Sequence, residues 1–218
     1  LQAVLRDAAA SSFNRISVDQ HTSPSDTVLI LASGAATGPP IRRTGSALNR
    51  FTAALNSLCQ DLAYQIVADG EGATKVFRVR VTEARSEREA DRVARAVVNS
   101  PMVKTAVHGS DPNWGRIITA AGYSGVALEP ARSTLWIGRC GGRAGRKDPG
   151  GTGGNRGRSW GGTAGKAGGG ICLYAHGEPV ALNARQTRRL ATIMGSKNPT
   201  FTLTLGRGQA AVEWLGCD

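Results

Sequence analysis

The chain has 218 residues, of which 40% are hydrophobic and 20% charged, so it can bury a core as one or two domains. No stretch approaches the roughly 18 consecutive apolar residues that a membrane-spanning helix needs, which argues against a membrane protein. The net charge of +11 is uneven, because residues 139–170 alone hold five arginines and two lysines against one aspartate. Elsewhere the chain is only mildly basic, so nucleic acid is not the expected main partner.

The first part of the chain predicts two helices and two strands. Spaced apolar residues from Leu1 to Phe13 are typical of an amphipathic helix, and Ile16–Val18 then predicts a short strand. The apolar run Thr27–Ala32 predicts a buried strand. A longer apolar stripe from Leu48 to Val67 predicts a second helix, which Gly70 is expected to end as a C-terminal glycine.

The middle of the chain predicts a strand–helix–strand unit. Alternating residues in Lys75–Val81 indicate a strand with one buried face, and Ser86 begins a capping-box pattern for a helix that runs to Asn99. Met102–Val107 is predicted as a strand and Ile117–Ala121 as a helix. The remainder is strand-rich, with predicted strands at Ser133–Ile137, Ile171–Ala175, Phe201–Leu205 and Ala210–Leu215.

One segment departs from this globular pattern. Residues 139–170 contain 14 of the 29 glycines and few apolar residues, which predicts a disordered insertion between two strands of a hairpin. An insertion without function is one interpretation. The alternative is a weak RNA-binding arginine/glycine segment in which Trp160 is the stacking group.

The best candidate site is the segment Asp69–Lys75, with the sequence DGEGATK. Gly70 and Gly72 permit unusual backbone angles and frame Glu71 on a loop between two rigid elements. A carboxylate in this position can hold a substrate ammonium by a charge-assisted hydrogen bond. Thr74 would add a hydroxyl group and Lys75 an anion contact. The alternative is a simple helix stop with a solvated glutamate.

Other polar groups have structural explanations. In the sequence DPNWGR, Asp111 or Asn113 is expected to cap a helix while Trp114 packs. The loop Asp19–Asp26 is explained by Asx and Ser/Thr turns, and Lys104 by a surface or paired charge. The four cysteines and three histidines form no ligand-like spacing, so we expect buried or idle cytosolic thiols and no metal site.

Four collinear motifs resemble the β chain of the ornithine acetyltransferase family. The resemblance extends from Leu1 to Gly138 and resumes from Ile171 to Asp218. The motifs are FNRISVDQHTSPSDTVLILASG, DGEGATK, NSPMVKTAVHGSDPNWGRIITAAGYSG and LGRGQAAVEWLGCD.

This resemblance implies a bifunctional glutamate N-acetyltransferase of arginine biosynthesis, which cuts itself and uses the new N-terminal threonine as its nucleophile. Glu71 matches the family's substrate-binding glutamate, with Gly70, Gly72, Thr74 and Lys75 as supporting residues. The nucleophilic threonine falls upstream of Leu1, so no catalytic residue is assigned within this chain. The chain starts at Leu1 rather than Met, which is typical of a processed or truncated protein.

The resemblance further implies a mixed α/β fold with a layered α-β-β-α core and a second, smaller α/β lobe. Residues 1–82 would belong to the core, and residues 83–138 and 171–218 to the second lobe. The implied partners are small amino-acid substrates and the α chain of the same precursor, in a cytoplasmic α2β2 assembly. No cofactor is implied, although some family members also accept acetyl-CoA.

Two other functional hypotheses remain at this point. One is a hydrolase related to N-terminal-nucleophile aminopeptidases, which share the self-processing logic. The other is a non-catalytic RNA-binding protein that acts through residues 139–170. In the leading hypothesis the chain alone is inactive and exposes apolar surface that favours aggregation.

Overall fold

The described part of the chain contains one mixed sheet of seven strands. A computed structural model describes residues 1–42, 44–139 and 170–218, so the predicted insertion at 139–170 lies outside the described residues except for its two ends. In chain order the strands are β1 (Ile16–Ser17), β2 (Val76–Ala84), β3 (Thr134–Arg139), β4 (Ile171–Ala175), β5 (Glu178–Pro179), β6 (Pro199–Thr204) and β7 (Ala210–Cys217).

The order across the sheet is β1-β7-β2-β6-β3-β4-β5. Strand β2 lies in the interior of the sheet, antiparallel to β7 on one side and parallel to β6 on the other. The hairpin predicted on either side of the glycine-rich segment is confirmed, because β3 and β4 pair antiparallel with Ile137 opposite Ile171.

Six α-helices in the described residues accompany the sheet. Four of them begin at a side chain that accepts a backbone N–H, which is the usual way of satisfying a helix start. These caps are Ser86, Ser100, Asn113 and Asn183. The helices are α1 (Gln2–Ala10), α2 (Ser46–Ala68), α3 (Glu87–Val98), α4 (Pro101–His108), α5 (Trp114–Gly122) and α6 (Ala184–Met194).

The main core lies between one face of the sheet and helices α3 to α6. Alternate residues of β2, namely Phe77, Val79 and Val81, are at most 1% exposed and join this core. On the opposite face an apolar cluster lies near the β7 end, where Val67 of α2 packs with Leu215. The alternation predicted for β2 is therefore confirmed.

Two predicted strands are wrong. Residues 102–107 form helix α4, because Ser100 caps its start, Pro101 occupies its first turn, and Val103 and Val107 are buried at helical spacing. Residues 27–32 form no strand, and Leu29 and Leu31 are 78% and 92% exposed. No described strand pairs with this segment, so its backbone has no ladder to join. Helix α6 was not predicted from the sequence.

The predicted mixed α/β class is confirmed. The layered α-β-β-α arrangement requires two sheets, and the described residues form one. The division into residues 1–82 and a second lobe stays a prediction, and the sheet crosses its boundary because β2 lies between β7 and β6.

Candidate functional site

The loop that carries Glu71 joins the end of α2 to the start of β2. It contains a tight turn in which the Ala73 N–H donates to the Gly70 carbonyl at 3.0 Å. Gly72 has a φ of +73° and open space around it, so this position needs glycine for its backbone angle.

Gly70 is required for a different reason from the one predicted. Its φ is not in the left-handed region, so it is not a left-handed helix stop. A Cβ at this position would lie 3.1 Å from Val18 Cγ1 and 3.2 Å from Cys217 Sγ. Gly70 therefore allows the loop to pack tightly against the segment after β1 and the end of β7.

Glu71 is exposed at the tip of this turn. Within the described residues its carboxylate has neither a hydrogen bond nor an ion pair. An unpaired carboxylate on a turn that is fixed at its base can accept hydrogen bonds from an ammonium group of a ligand. Binding of substrate by Glu71 stays a prediction.

Thr74 and Lys75 bind Asp218, which follows β7. The backbone N–H groups of Thr74 and Lys75 donate to Asp218 Oδ1 at 2.7 and 2.8 Å, and the Thr74 hydroxyl donates to Oδ2. His108 Nδ1 lies 3.1 Å from the same Oδ2. Burial raises the pKa of Asp218, but these hydrogen bonds outweigh it and hold that pKa below its usual value.

The Lys75 ammonium is also engaged within the protein. It donates to the Val107 carbonyl at 2.6 Å, to the His108 carbonyl at 3.2 Å and to the Ser110 hydroxyl at 2.6 Å. An ammonium has three donors, so all three are used. Instead of the predicted anion contact, Lys75 stabilises the turn after α4, where Ser110 has a strained φ of +57°.

The DPNWGR segment is structural, as predicted. Asn113 caps α5 by accepting the Arg116 N–H at 3.2 Å, while Asp111 accepts a hydrogen bond from the Asn113 amide. Trp114 stacks on Tyr174 with a 5.2 Å distance between ring centroids. These contacts account for its polar and aromatic side chains without a ligand.

Lys104 and the loop Asp19–Asp26 also have structural explanations. The Lys104 ammonium donates to the carbonyls of Val18 and Cys217 at 2.8 and 2.5 Å. These bonds join α4 to the residue after β1 and to the last residue of β7. In the loop, the His21 N–H donates to Asp19 Oδ1 at 2.9 Å, which confirms an Asx turn.

Among the described residues there is no group of three or more His, Cys, Asp or Glu that could hold a metal ion. Cys59, Cys172 and Cys217 are free thiols, and burial raises the pKa of Cys59 and Cys172. A search of the described helices finds none that is long and apolar enough to cross a membrane.

The whole sequence, residues 1–218, matches the ArgJ family. The chain belongs to that family. It is 36% identical over its full length to the arginine biosynthesis bifunctional protein ArgJ of Symbiobacterium thermophilum, of which it covers 46%. Over 135 residues it is 48% identical to the mitochondrial ArgJ protein of Yarrowia lipolytica, of which it covers 31%.

A solved structure supports the same assignment. The crystal structure of the ArgJ protein of Bacillus halodurans superposes on this chain with a TM-score of 0.80 at 32% sequence identity. The match covers all of this chain and 86% of the Bacillus halodurans chain. The chain nevertheless spans less than half the length of the curated ArgJ proteins quoted above.

The sequence indicated no role for Asp218, His108 or Ser110. Asp218 lies 144 residues from Thr74, so no local pattern connects them. The only available signal was the C-terminal motif that ends in Gly-Cys-Asp, and it carried the family resemblance without indicating a contact.

Proposed function

We propose that this chain forms part of an acetyltransferase of arginine biosynthesis in which Glu71 binds the ammonium group of the substrate. The observation that carries the proposal is the exposed Glu71 carboxylate, which has no partner among the described residues, on a fixed turn in an ArgJ-family chain. Charge-assisted hydrogen bonds are about twice as strong as neutral ones, which suits recognition of a cationic amino acid.

The proposed reaction transfers acetyl from N2-acetyl-L-ornithine to L-glutamate. A threonine hydroxyl outside residues 1–218 attacks the amide carbon, ornithine leaves as its amine, and an acetyl ester remains on the threonine. The glutamate amine then attacks the ester carbon and releases the threonine hydroxyl. Glu71 would hold the ornithine side-chain ammonium while the first bond breaks. Acetyl-CoA is a second acetyl donor within the same proposal.

Two measurements on this chain test the proposal. Incubation of the chain alone with N2-acetyl-L-ornithine and labelled glutamate should give no acetylglutamate, and turnover by the chain alone would contradict a nucleophile outside it. Titration with N2-acetyl-L-ornithine should shift the amide resonances of Gly70 and Gly72. Glu71→Gln should abolish those shifts, whereas Glu178→Gln, which changes an exposed carboxylate of β5, should retain them.

An α chain is proposed to cover an apolar surface of this chain. On α2, Leu58, Leu62 and Ile66 are 43–55% exposed along one side, and Leu29 and Leu31 of the segment 27–32 are exposed as well. Such patches on a soluble domain commonly mark interfaces. Because these ArgJ relatives are about twice as long as this chain, the part of them that lies outside residues 1–218 is the proposed occupant, as the α chain of an α2β2 assembly.

Co-expression of this chain with the proposed α chain tests the assembly. We expect the complex to co-purify and to bind less of a hydrophobic dye than the chain alone does. Equal dye binding would contradict the proposal. A cytoplasmic location is part of the same prediction, although two yeast relatives are named as mitochondrial. RNA binding by residues 139–170 stays a prediction.

A further inference from the structure

We propose that Asp218 is a positioning residue that fixes the turn carrying Glu71. Its side chain has no solvent-exposed surface, and both carboxylate oxygens are used. Oδ1 accepts the backbone N–H groups of Thr74 and Lys75, and Oδ2 accepts the Thr74 hydroxyl and faces His108 Nδ1. The effect of Asp218 on substrate rests on the function proposed above, whereas its effect on the turn does not.

The geometry of the sheet explains why a carboxylate is needed here. The antiparallel pairing of β2 with β7 reaches Val76 opposite Cys217 and ends there. Beyond it, the Asp218 N–H donates to the Lys75 carbonyl at 3.2 Å, but no β7 carbonyl takes the N–H groups of Thr74 and Lys75. The Asp218 side chain replaces that missing acceptor, so the chain stays ordered past the last ladder pair.

The two ends of the turn are held by consecutive residues, Cys217 at the end of β7 and Asp218 directly after it. Gly70 packs against the Cys217 sulfur, and Thr74 and Lys75 bind the Asp218 carboxylate. Between these contacts, Glu71 and Gly72 are exposed. A binding group gains most from a turn that is already in place, because less ordering is needed when the ligand binds.

Lys75 extends this arrangement to the corner between α4 and α5. Its ammonium binds the carbonyls of Val107 and His108, while the His108 ring binds Asp218. The base of the turn, the end of β7 and the end of α4 are thus joined by one set of hydrogen bonds. Removal of the Asp218 carboxylate should loosen the turn first, because its contacts to Thr74 and Lys75 are the most direct.

Amide hydrogen exchange of residues 1–218 tests the positioning directly. In Asp218→Ala we expect the amides of Thr74 and Lys75 to exchange at least about tenfold faster, while Val79 and Val81 within the ladder keep their rates. Asp218→Asn retains one acceptor oxygen and should have an intermediate effect. The control Glu178→Gln should change none of these amides. Unchanged exchange at Thr74 and Lys75 in Asp218→Ala would overturn the proposal, whatever happens to substrate binding.

Titration of the same variants with N2-acetyl-L-ornithine separates this proposal from the proposed function. Asp218→Ala should raise the Kd several-fold, and Asp218→Asn should raise it less. Faster exchange with an unchanged Kd would overturn the positioning role and leave only a structural one. If Glu71→Gln leaves the Kd unchanged while Asp218→Ala still loosens the turn, the proposed function fails and the control of the turn by Asp218 stands.

Discussion

Two segments that the sequence predicts as strands differ sharply in burial. In β2, Phe77, Val79 and Val81 are buried between a strand on either side and helices above. In the segment 27–32, Leu29 and Leu31 are 78% and 92% exposed, and no described strand lies beside them. An apolar run becomes a buried strand only when neighbours supply its hydrogen bonds and cover its side chains.

The largest expected contrast between the two regions comes from side-chain truncation. Phe77→Ala should lower the free energy of unfolding by about 3–5 kcal/mol, because it opens a cavity among fully buried side chains. Leu29→Ala should change it by less than about 0.5 kcal/mol. Urea denaturation measures both. Similar losses for the two variants would break the comparison.

Glycine substitution gives a second contrast. In Gly216→Ala the new Cβ would lie 2.4 Å from Val98 Cγ2 and 3.1 Å from Phe77 Cζ. Such overpacking should cost about 1–3 kcal/mol in thermal or urea unfolding. Gly34→Ala has nothing within 4 Å, so only its positive φ of +73° opposes alanine. A smaller loss at Gly216 than at Gly34 would contradict tight packing of β7.

The pH dependence of stability should reveal the Asp218 carboxylate. Because its pKa is lower in the folded chain than its usual value of about 3.9, the stabilisation is present above that value and is lost as the pH falls through the folded pKa. At pH 7, Asp218→Asn should lower the free energy of unfolding by about 1 kcal/mol. The difference between the two proteins should shrink below about pH 4. A constant difference across pH would contradict this account.

The smallest effect on folding is expected at Leu31. Leu31→Ser should change the free energy of unfolding of this chain by less than about 0.5 kcal/mol, since the side chain is almost fully exposed. It should nevertheless reduce co-purification with the proposed α chain, which would cover this segment. Unchanged co-purification would place the interface elsewhere.

Local signals were sufficient for much of the fold. Caps at Ser86 and Asn113 and the alternation in β2 predicted elements that the structure contains. The prediction failed at residues 102–107, where the Ser100 and Pro101 start signal outweighs the β-branched residues. Helix α6 begins at a capping box formed by Asn183 and Gln186. A capping box of this kind is a local sequence signal for the start of a helix.

Contacts between distant segments limited how much of the candidate site could be predicted from the sequence. The DGEGATK motif identified the loop and Glu71, but the sequence could not show that Asp218 fixes its base. Likewise, Lys75 looked available for an anion, whereas tertiary structure places its ammonium among oxygens of Val107, His108 and Ser110. Roles of this kind depend on how distant segments meet, which no local pattern encodes.

The central claim is that Glu71 binds the substrate ammonium, and one rate comparison tests it most directly. Acetyl transfer from N2-acetyl-L-ornithine to glutamate should be measured for this chain assembled with the proposed α chain. Glu178→Gln is the control. Loss of a hydrogen bond to a charged group, about 1.5–3 kcal/mol, predicts that Glu71→Gln lowers kcat/KM by roughly 10- to 150-fold. A kcat/KM for Glu71→Gln equal to that of the unmodified protein would contradict the claim.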